Sequence, residues 1–321
     1  MYLNRILKII VAIYFVTIIF FQSALAASCC GGGSASSLVL PKFGAAMLDF
    51  SLDTETYDGF WNMDGVLVPD PPGSDLSQMR LNLGFAYRLS SNWQTSVVMP
   101  YVWNDNQYGG LTSETSGLGD VVASVWYEAF DAITCVWKVN SLDDLKPSVY
   151  YGLSMTLPTG VSPYADVENS FDITGRGFYR LDATILLDKT IYPWNATFQY
   201  TYGVYFERPV NREYGNYIEP YDKNLGDRSQ GMLSFGYTHQ TENVETITAT
   251  LAYSTLSEEA GEIDNQTDPT GGLSKKSLAM TVAFSNFDKD WIYKVTYSQA
   301  TDGKNFPSTD VLTIGLSHVY F

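Results

Sequence analysis

The chain is poor in the residues that carry most enzyme and cofactor chemistry. Its 321 residues include only three cysteines and two histidines, His239 and His318. Neither histidine lies near a Ser-Asn or Asp-His pattern, so no hydrolase triad is spelled out and the chain reads as non-enzymatic. No Cys-x-x-Cys-His occurs, which excludes covalently attached haem. Positive charge is scarce as well, with 19 Lys+Arg against 35 Asp+Glu. So acidic a chain repels phosphates instead of displacing their counterions, which excludes nucleic acid as a partner. Past residue 26 there is also no run of about 18 apolar residues, so the body of the chain contains no membrane-spanning helix.

The first 26 residues read as a cleaved secretory signal. Arg5 and Lys8 make a basic start, an apolar run extends from Ile9 to Phe21, and Ala24-Leu25-Ala26 is a small-x-small cleavage site. Without this segment the chain keeps 17 Lys+Arg against 35 Asp+Glu, a formal charge of −18. Residues 27–44 then read as a flexible periplasmic tail rich in Cys, Gly and Ser, and 45–321 as the folded body.

That body is rich in aromatics and glycine: the chain has 23 Tyr, 17 Phe, 7 Trp and 26 Gly. Its pattern is alternation at period two, the mark of a strand with unlike faces. Met79, Leu81, Leu83, Phe85, Tyr87 and Leu89 alternate with Gln78, Arg80, Asn82, Gly84, Ala86 and Arg88. Trp194, Ala196, Phe198, Tyr200, Tyr202, Val204 and Phe206 repeat the design. Aromatics sit towards the ends of such faces and aliphatics nearer the middle, as interfacial girdles require. Twelve segments qualify: 45–57, 76–89, 93–104, 117–130, 146–157, 175–188, 194–207, 228–239, 244–256, 275–285, 291–301 and 309–321. Most are long enough to cross a bilayer when tilted.

The connections follow a long-short rhythm. Long polar segments at 58–75, 105–116, 158–174, 208–227, 257–274 and 302–308 alternate with shorter ones at 90–92, 189–193, 240–243 and 286–290; only 131–145 breaks the rule. The sequence therefore predicts an all-β, transmembrane, antiparallel up-and-down β-barrel of twelve strands. Such a barrel belongs in a Gram-negative outer membrane, with both termini periplasmic and the long loops outside. Phe321 falls off the face shared by Leu312, Ile314, Leu316 and Tyr320, so a bulge or a frayed last residue is expected there.

Two stretches carry a family resemblance. Gly117-Leu118-Gly119-Asp120, followed by Val-Val-Ala-Ser-Val-Trp-Tyr, and Gly152-Leu153-Ser154-Met155-Thr156-Leu157-Pro158-Thr159-Gly160 resemble successive elements of an outer-membrane family of transporters of the MetA pathway of phenol degradation. The likeness runs from about residue 76 to the C-terminus. It implies a barrel that passes or binds small, often hydrophobic solutes. On physical grounds alone, Gly119 lets the wall bend, Asp120 faces the lumen, and Pro158 with Gly160 ends a strand at the rim.

Charged residues fall on the face opposite the lipid: Asp49, Asp53, Arg80, Arg88, Asp120, Glu128, Arg180, Asp182, Glu207 and Lys294. Of these, Asp53, Arg80, Asp120, Glu128, Arg180 and Asp182 are the candidate lumen-lining residues, forming either a selectivity constriction or a salt-bridge network that fills the barrel. Acidic loops (Asp58, Asp64, Asp70 and Asp75; Glu258, Glu259, Glu262, Asp264 and Asp268) read as solvated surface or as bridges through divalent ions to lipopolysaccharide. Cys29, Cys30 and Cys135 leave three readings open: a disulfide from tail to turn, a soft-metal or thiol site, and lipidation of Cys29. Apart from such a metal, no cofactor is expected. The expected partners are the lipid bilayer, lipopolysaccharide, the barrel-assembly machinery and a small-molecule solute. The expected function is a channel or transporter without energy coupling. The alternative is a structural adaptor barrel in an envelope complex for electron transfer or metal handling, using its cysteine tail.

Overall fold

The computed structural model describes residues 38–129, 135–167, 172–268 and 271–321; the expected signal segment, Cys29 and Cys30 lie outside the described residues. Period-two alternation becomes twelve barrel strands: β1 (Ala46–Trp61), β2 (Asp75–Arg88), β3 (Trp93–Tyr108), β4 (Val121–Glu128), β5 (Ser148–Leu157), β6 (Arg180–Ile191), β7 (Trp194–Tyr205), β8 (Arg228–Gln240), β9 (Thr246–Glu258), β10 (Leu273–Ser285), β11 (Trp291–Lys304) and β12 (Phe306–Tyr320). Each pairs antiparallel with its neighbours in the chain. β12 returns to β1, from Ala46 opposite Tyr320 to Trp61 opposite Phe306, and this closure removes the exposed edges.

The two faces divide as the alternation predicts. Outward residues are apolar and bare, among them Phe85, Leu251, Met280 and Ile314, the last two each 57% exposed. Aliphatic surface this continuous belongs against hydrocarbon, not water. At the end bearing the short turns and the termini, aromatic pairs form a girdle: Trp93 with Tyr127 at 4.9 Å and Trp194 with Tyr237 at 5.0 Å. His318 belongs to it, with ring centroids 4.4 Å from both Trp291 and Tyr320. Inward residues are mostly hydroxyls, amides and charges, so the centre of the molecule is polar, with apolar clusters confined to the terminal end.

Several boundaries differ from the sequence expectation, each because ladder partners extend or stop a strand. The expected loop 302–308 collapses to Asn305 alone between β11 and β12, since Phe306–Thr309 keeps pairing with β1. Segment 105–116 is a hairpin: β3 runs on to Tyr108, and Leu111–Leu118 pairs back along it before β4 begins. Segment 208–227 forms its own hairpin, Arg208–Glu213 with Asn216–Asn224, extended by Glu262–Ile263 and Gln266–Thr267 into a small separate sheet. The sixth strand starts at Arg180, not at 175. The chain ends as expected: pairing stops at Tyr320, and Phe321 lies beyond the strand.

Candidate functional site

Both ends of the lumen are entered by chain. At the terminal end, the last part of the expected flexible tail, residues 38–44, is folded into the mouth. Val39 packs with Trp126, Tyr150 and Leu186, inward residues of β4, β5 and β6. Leu40 is fully buried with Met47, Ala86, Ile292 and Val319, from the strands on either side of the β1–β12 closure. Polar groups hold the backbone: Leu40 N donates to Gln94 Oε1 at 2.6 Å, and Arg88 donates to Gly44 O at 2.8 Å and Pro41 O at 3.1 Å. Glu128, buried at this end, faces Arg88 at 3.6 Å and Lys42 at 3.8 Å. The apolar Leu38-Val39-Leu40 cluster inside a polar tail is the sequence signal that points to this seat.

At the opposite end the described parts of loop 158–179, residues 158–167 and 172–179, fold inward, and Asp120 is their anchor. Asp120 accepts from Gly160 N at 3.0 Å and from Arg176 N at 2.7 Å, one oxygen each. The two motif stretches therefore meet in space: Thr159 Oγ1 also donates to Gly119 O at 2.6 Å. Gly160 and Gly175 pass so closely that a Cβ on Gly160 would lie 2.7 Å from Gly175 Cα, so neither tolerates a side chain there. Thr174 Oγ1 donates to Leu118 O at 2.7 Å, and Asn104 Nδ2 donates to Ile173 O at 3.1 Å, tying the loop to β3 and the Leu111–Leu118 segment. Phe178, only 1% exposed, stacks edge-on between Tyr164 and Tyr205.

The anchored loop delivers Arg176 across the lumen to Glu258, with contacts of 2.7 and 2.8 Å to the two carboxylate oxygens, a bidentate pair. Arg180 Nε donates to Asp182 Oδ1 at 2.7 Å, and Arg180 Nη1 to the Tyr205 hydroxyl at 3.2 Å. Tyr205 in turn donates to Glu258 Oε2 at 3.2 Å. Beneath these contacts one row of opposed residues crosses five strands: Ser154, Asp182, Gly203, Arg228 and Glu258. Gly203 sits between Asp182 and Arg228, and a Cβ there would run into Asp182 and lie 3.2 Å from Arg180 Cδ. A small polar cavity lies against this row, walled by Arg180, Arg228, Asp182, Gln199 and Gln230.

The opposite wall carries a second network. Asp53 stands opposite Arg80 in register, 3.9 Å away, and Arg80 also reaches Glu55 at 3.6 Å. Asn82 and Thr313 donate to Asp53 at 2.8 and 2.7 Å. Lys294 meets Asp49 at 3.0 Å, and Ser317 also donates to Asp49. Outside the wall, burial lifts the Tyr221 hydroxyl above its ordinary range, helped by the Glu213 carboxylate to which it donates, so it remains a donor.

Of the candidate lumen residues, Asp120, Arg180 and Asp182 come together at the loop end, Asp53 and Arg80 on the far wall, and Glu128 at the terminal mouth. Glu207 is a correction: β7 ends at Tyr205, and Glu207 is exposed beyond it. Glu258 is another. Read as loop from its acidic neighbours, it is the last residue of β9 and is buried, facing inward. Arg176 and Arg228 were missed, although the even numbering that places Arg180 and Asp182 inside also runs through Arg228, Gln230 and Ser234. The backbone of Cys135 adds a short parallel pairing to Thr190. Among the described residues no group of three or more His, Cys, Asp or Glu is placed to hold a metal ion.

A closed twelve-stranded antiparallel barrel with a bare apolar belt and a polar interior defines the class: a β-barrel of the outer-membrane type. No protein-family model matches the chain, and no curated protein is similar to it in sequence. Solved structures share the fold. The COG4313 outer membrane channel from Pseudomonas putida F1 superposes with a TM-score of 0.65 at 14% identity, over 90% of this chain and 99% of that one. The β domain of the Bordetella autotransporter BrkA gives a TM-score of 0.52 at 11% identity, over 86% of this chain and all of that one.

Proposed function

We propose that this chain is an outer-membrane channel that passes small solutes down their gradient, with its termini in the periplasm and its long loops outside. The observation that carries this reading is a barrel interior lined largely by hydroxyls, amides and charges, entered by residues 172–179 at one end and by residues 38–44 at the other. A barrel that served only as a scaffold would gain nothing from a charged interior, because paired charges stabilise a packed core no better than apolar side chains do. The inward segments make the path narrow, which suits selective passage better than bulk diffusion. The resemblance of the 117–127 and 152–160 stretches to elements of the MetA-pathway transporter family supports small organic solutes, hydrophobic ones included, as cargo. The barrel takes the bilayer and lipopolysaccharide as its surroundings and reaches them through the barrel-assembly machinery. No energy-coupling partner is needed for a downhill path.

Planar-bilayer recordings of the full chain test this. Small, discrete conductance steps are expected, larger in Asp120→Ala, where the loop loses its anchor. If both proteins are silent and neither moves solute into liposomes, the channel reading fails and the adaptor reading replaces it.

A further inference from the structure

The connection between β4 and β5 breaks the short-turn rule at the terminal end, and its described part, from Cys135 to β5, is firmly tied. The backbone of Cys135–Val136 runs parallel to Thr190–Ile191 at the end of β6, and Tyr192 N donates to Val136 O at 2.8 Å. Further on, Asp144 holds the turn. Its Oδ2 accepts from Asn140 N at 2.8 Å, Ser141 N at 2.9 Å and Ser141 Oγ at 3.2 Å. A single 3-10 turn, Asp143–Leu145, follows. In this tied conformation four large apolar side chains stand bare. Trp137 is 54% exposed, Leu142 is 83% exposed, and Val139 and Leu145 are exposed as well. Among the described residues no other large apolar side chain is as bare as Leu142. An ordered turn that held all four in water would forgo their burial, so the patch calls for a cover.

The patch is continuous with the aromatic girdle. Trp137 stacks on Tyr192 with ring centroids 4.2 Å apart, and just beyond Tyr192 the girdle pair Trp194 and Tyr237 begins. Trp and Tyr rings at this level sit where hydrocarbon meets headgroups. The charges beside the patch suit the same surroundings. Lys138 and Lys146 are exposed, the second also 2.6 Å from Asp143. A lysine stem lies along apolar surface while its ammonium reaches phosphate. A protein partner would have to share this level with the lipid that already covers the belt beside it. We propose that residues 136–147 form an interfacial foot, seated among the headgroups of the phospholipid leaflet at the terminal end. Trp137, Val139, Leu142 and Leu145 dip towards the acyl chains, and Lys138 and Lys146 meet the phosphates. The foot accounts for the length of this connection where its counterparts are short turns. The inference rests on the barrel's place in a membrane with its termini at the phospholipid side, not on the passage of solute.

The test uses the full chain carrying Cys29→Ser, Cys30→Ser and Cys135→Ser, reconstituted in vesicles of phosphatidylethanolamine and phosphatidylglycerol. A nitroxide spin label is attached to Leu142→Cys or to Leu145→Cys. The same label on Glu242→Cys, in the turn between β8 and β9, is the water-exposed reference. Power saturation compares relaxation by oxygen, which concentrates among acyl chains, with relaxation by a water-soluble nickel complex. Labels at 142 and 145 are expected to favour oxygen, reversing the order seen at 242. Leu142 is too bare to support the wall, and heat-modifiable migration on gels shows that each variant forms a barrel. Labels at 142 and 145 that favour nickel overturn the foot and leave the turn in water. Dipolar broadening between labels that persists on dilution with lipid also overturns it, in favour of a second copy of this chain. Conductance is read after fusing the same vesicles to planar bilayers. A silent barrel with oxygen-favouring labels keeps the foot and removes the channel, and a conducting barrel with nickel-favouring labels does the reverse.

Discussion

Removing the Asp120 carboxylate tests whether the inward loop is held from one point. Among the described residues, Asp120 is the only side chain that accepts hydrogen bonds from two separated backbone amides of loop 158–179, Gly160 N and Arg176 N, and it does so with different oxygens. Bonds to an ionised acceptor contribute roughly 1.5–3 kcal/mol each. At a rim position the lower figure applies, so Asp120→Ala costs about 3 kcal/mol of loop anchoring. That corresponds to roughly a hundredfold rise in the fraction of time the loop is open. Asp120→Asn keeps one acceptor oxygen and loses the charge, so its effect is smaller. Hydrogen–deuterium exchange on the detergent-solubilised barrel reads this directly. The expected result is exchange accelerated on the order of a hundredfold in peptides covering 158–167 and 172–179, with strand peptides of β8 to β11 unchanged. Unaltered exchange in the loop would refute the anchoring argument. So would a uniform rise over the whole barrel, because Asp120 would then act on global stability.

Three further outcomes are expected. Gly203→Ala forces Asp182 and Arg180 apart by overpacking and is expected to lower barrel stability by roughly 1–3 kcal/mol, read as a shift in the heat-modifiable gel transition; an unshifted transition would show that the row has slack. Cysteine at Asp264 is expected to react with an impermeant maleimide on whole cells and cysteine at Glu242 is not, and the reverse pattern would invert the proposed topology. A disulfide linking Cys29 or Cys30 to Cys135 is expected in non-reducing peptide maps of protein taken from an oxidising periplasm, whereas three free thiols would rule it out in favour of metal binding by the adjacent pair.

The strands were legible because a barrel wall has two unlike solvents, and this imprints a period of two that short-range reading captures. The charged candidates followed from the same parity, which is why Asp53 stands opposite Arg80 and why Arg180 and Asp182 share a face. What decides the site was not legible. Arg176 reaches Glu258 across 82 positions of sequence through an irregular loop, and irregular backbone has no period to read. Acidic neighbours disguised Glu258 as loop, although it continues the inward parity of Thr246 to Leu256. Residues 38–44 looked like tail because Gly and Ser precede them, while their seat is set by Gln94, Arg88 and Trp126, residues far along the chain.

The placement of Leu40 has a consequence for how the molecule is assembled. Its side chain touches both the first and the last strand, so its pocket does not exist until the seam between them forms. Side-chain bonds at and beside this seam join residues far apart in the chain: Lys294 to Asp49 and Thr313 to Asp53, separated by 245 and 260 positions. Contacts of such span form slowly, since a long loop must be closed before any of them stabilises the fold. The segment before β1 therefore completes its seat only once β12 is in place. Full burial of Leu40 reports closure of the barrel, and a chain lacking β12 would leave it in contact with water.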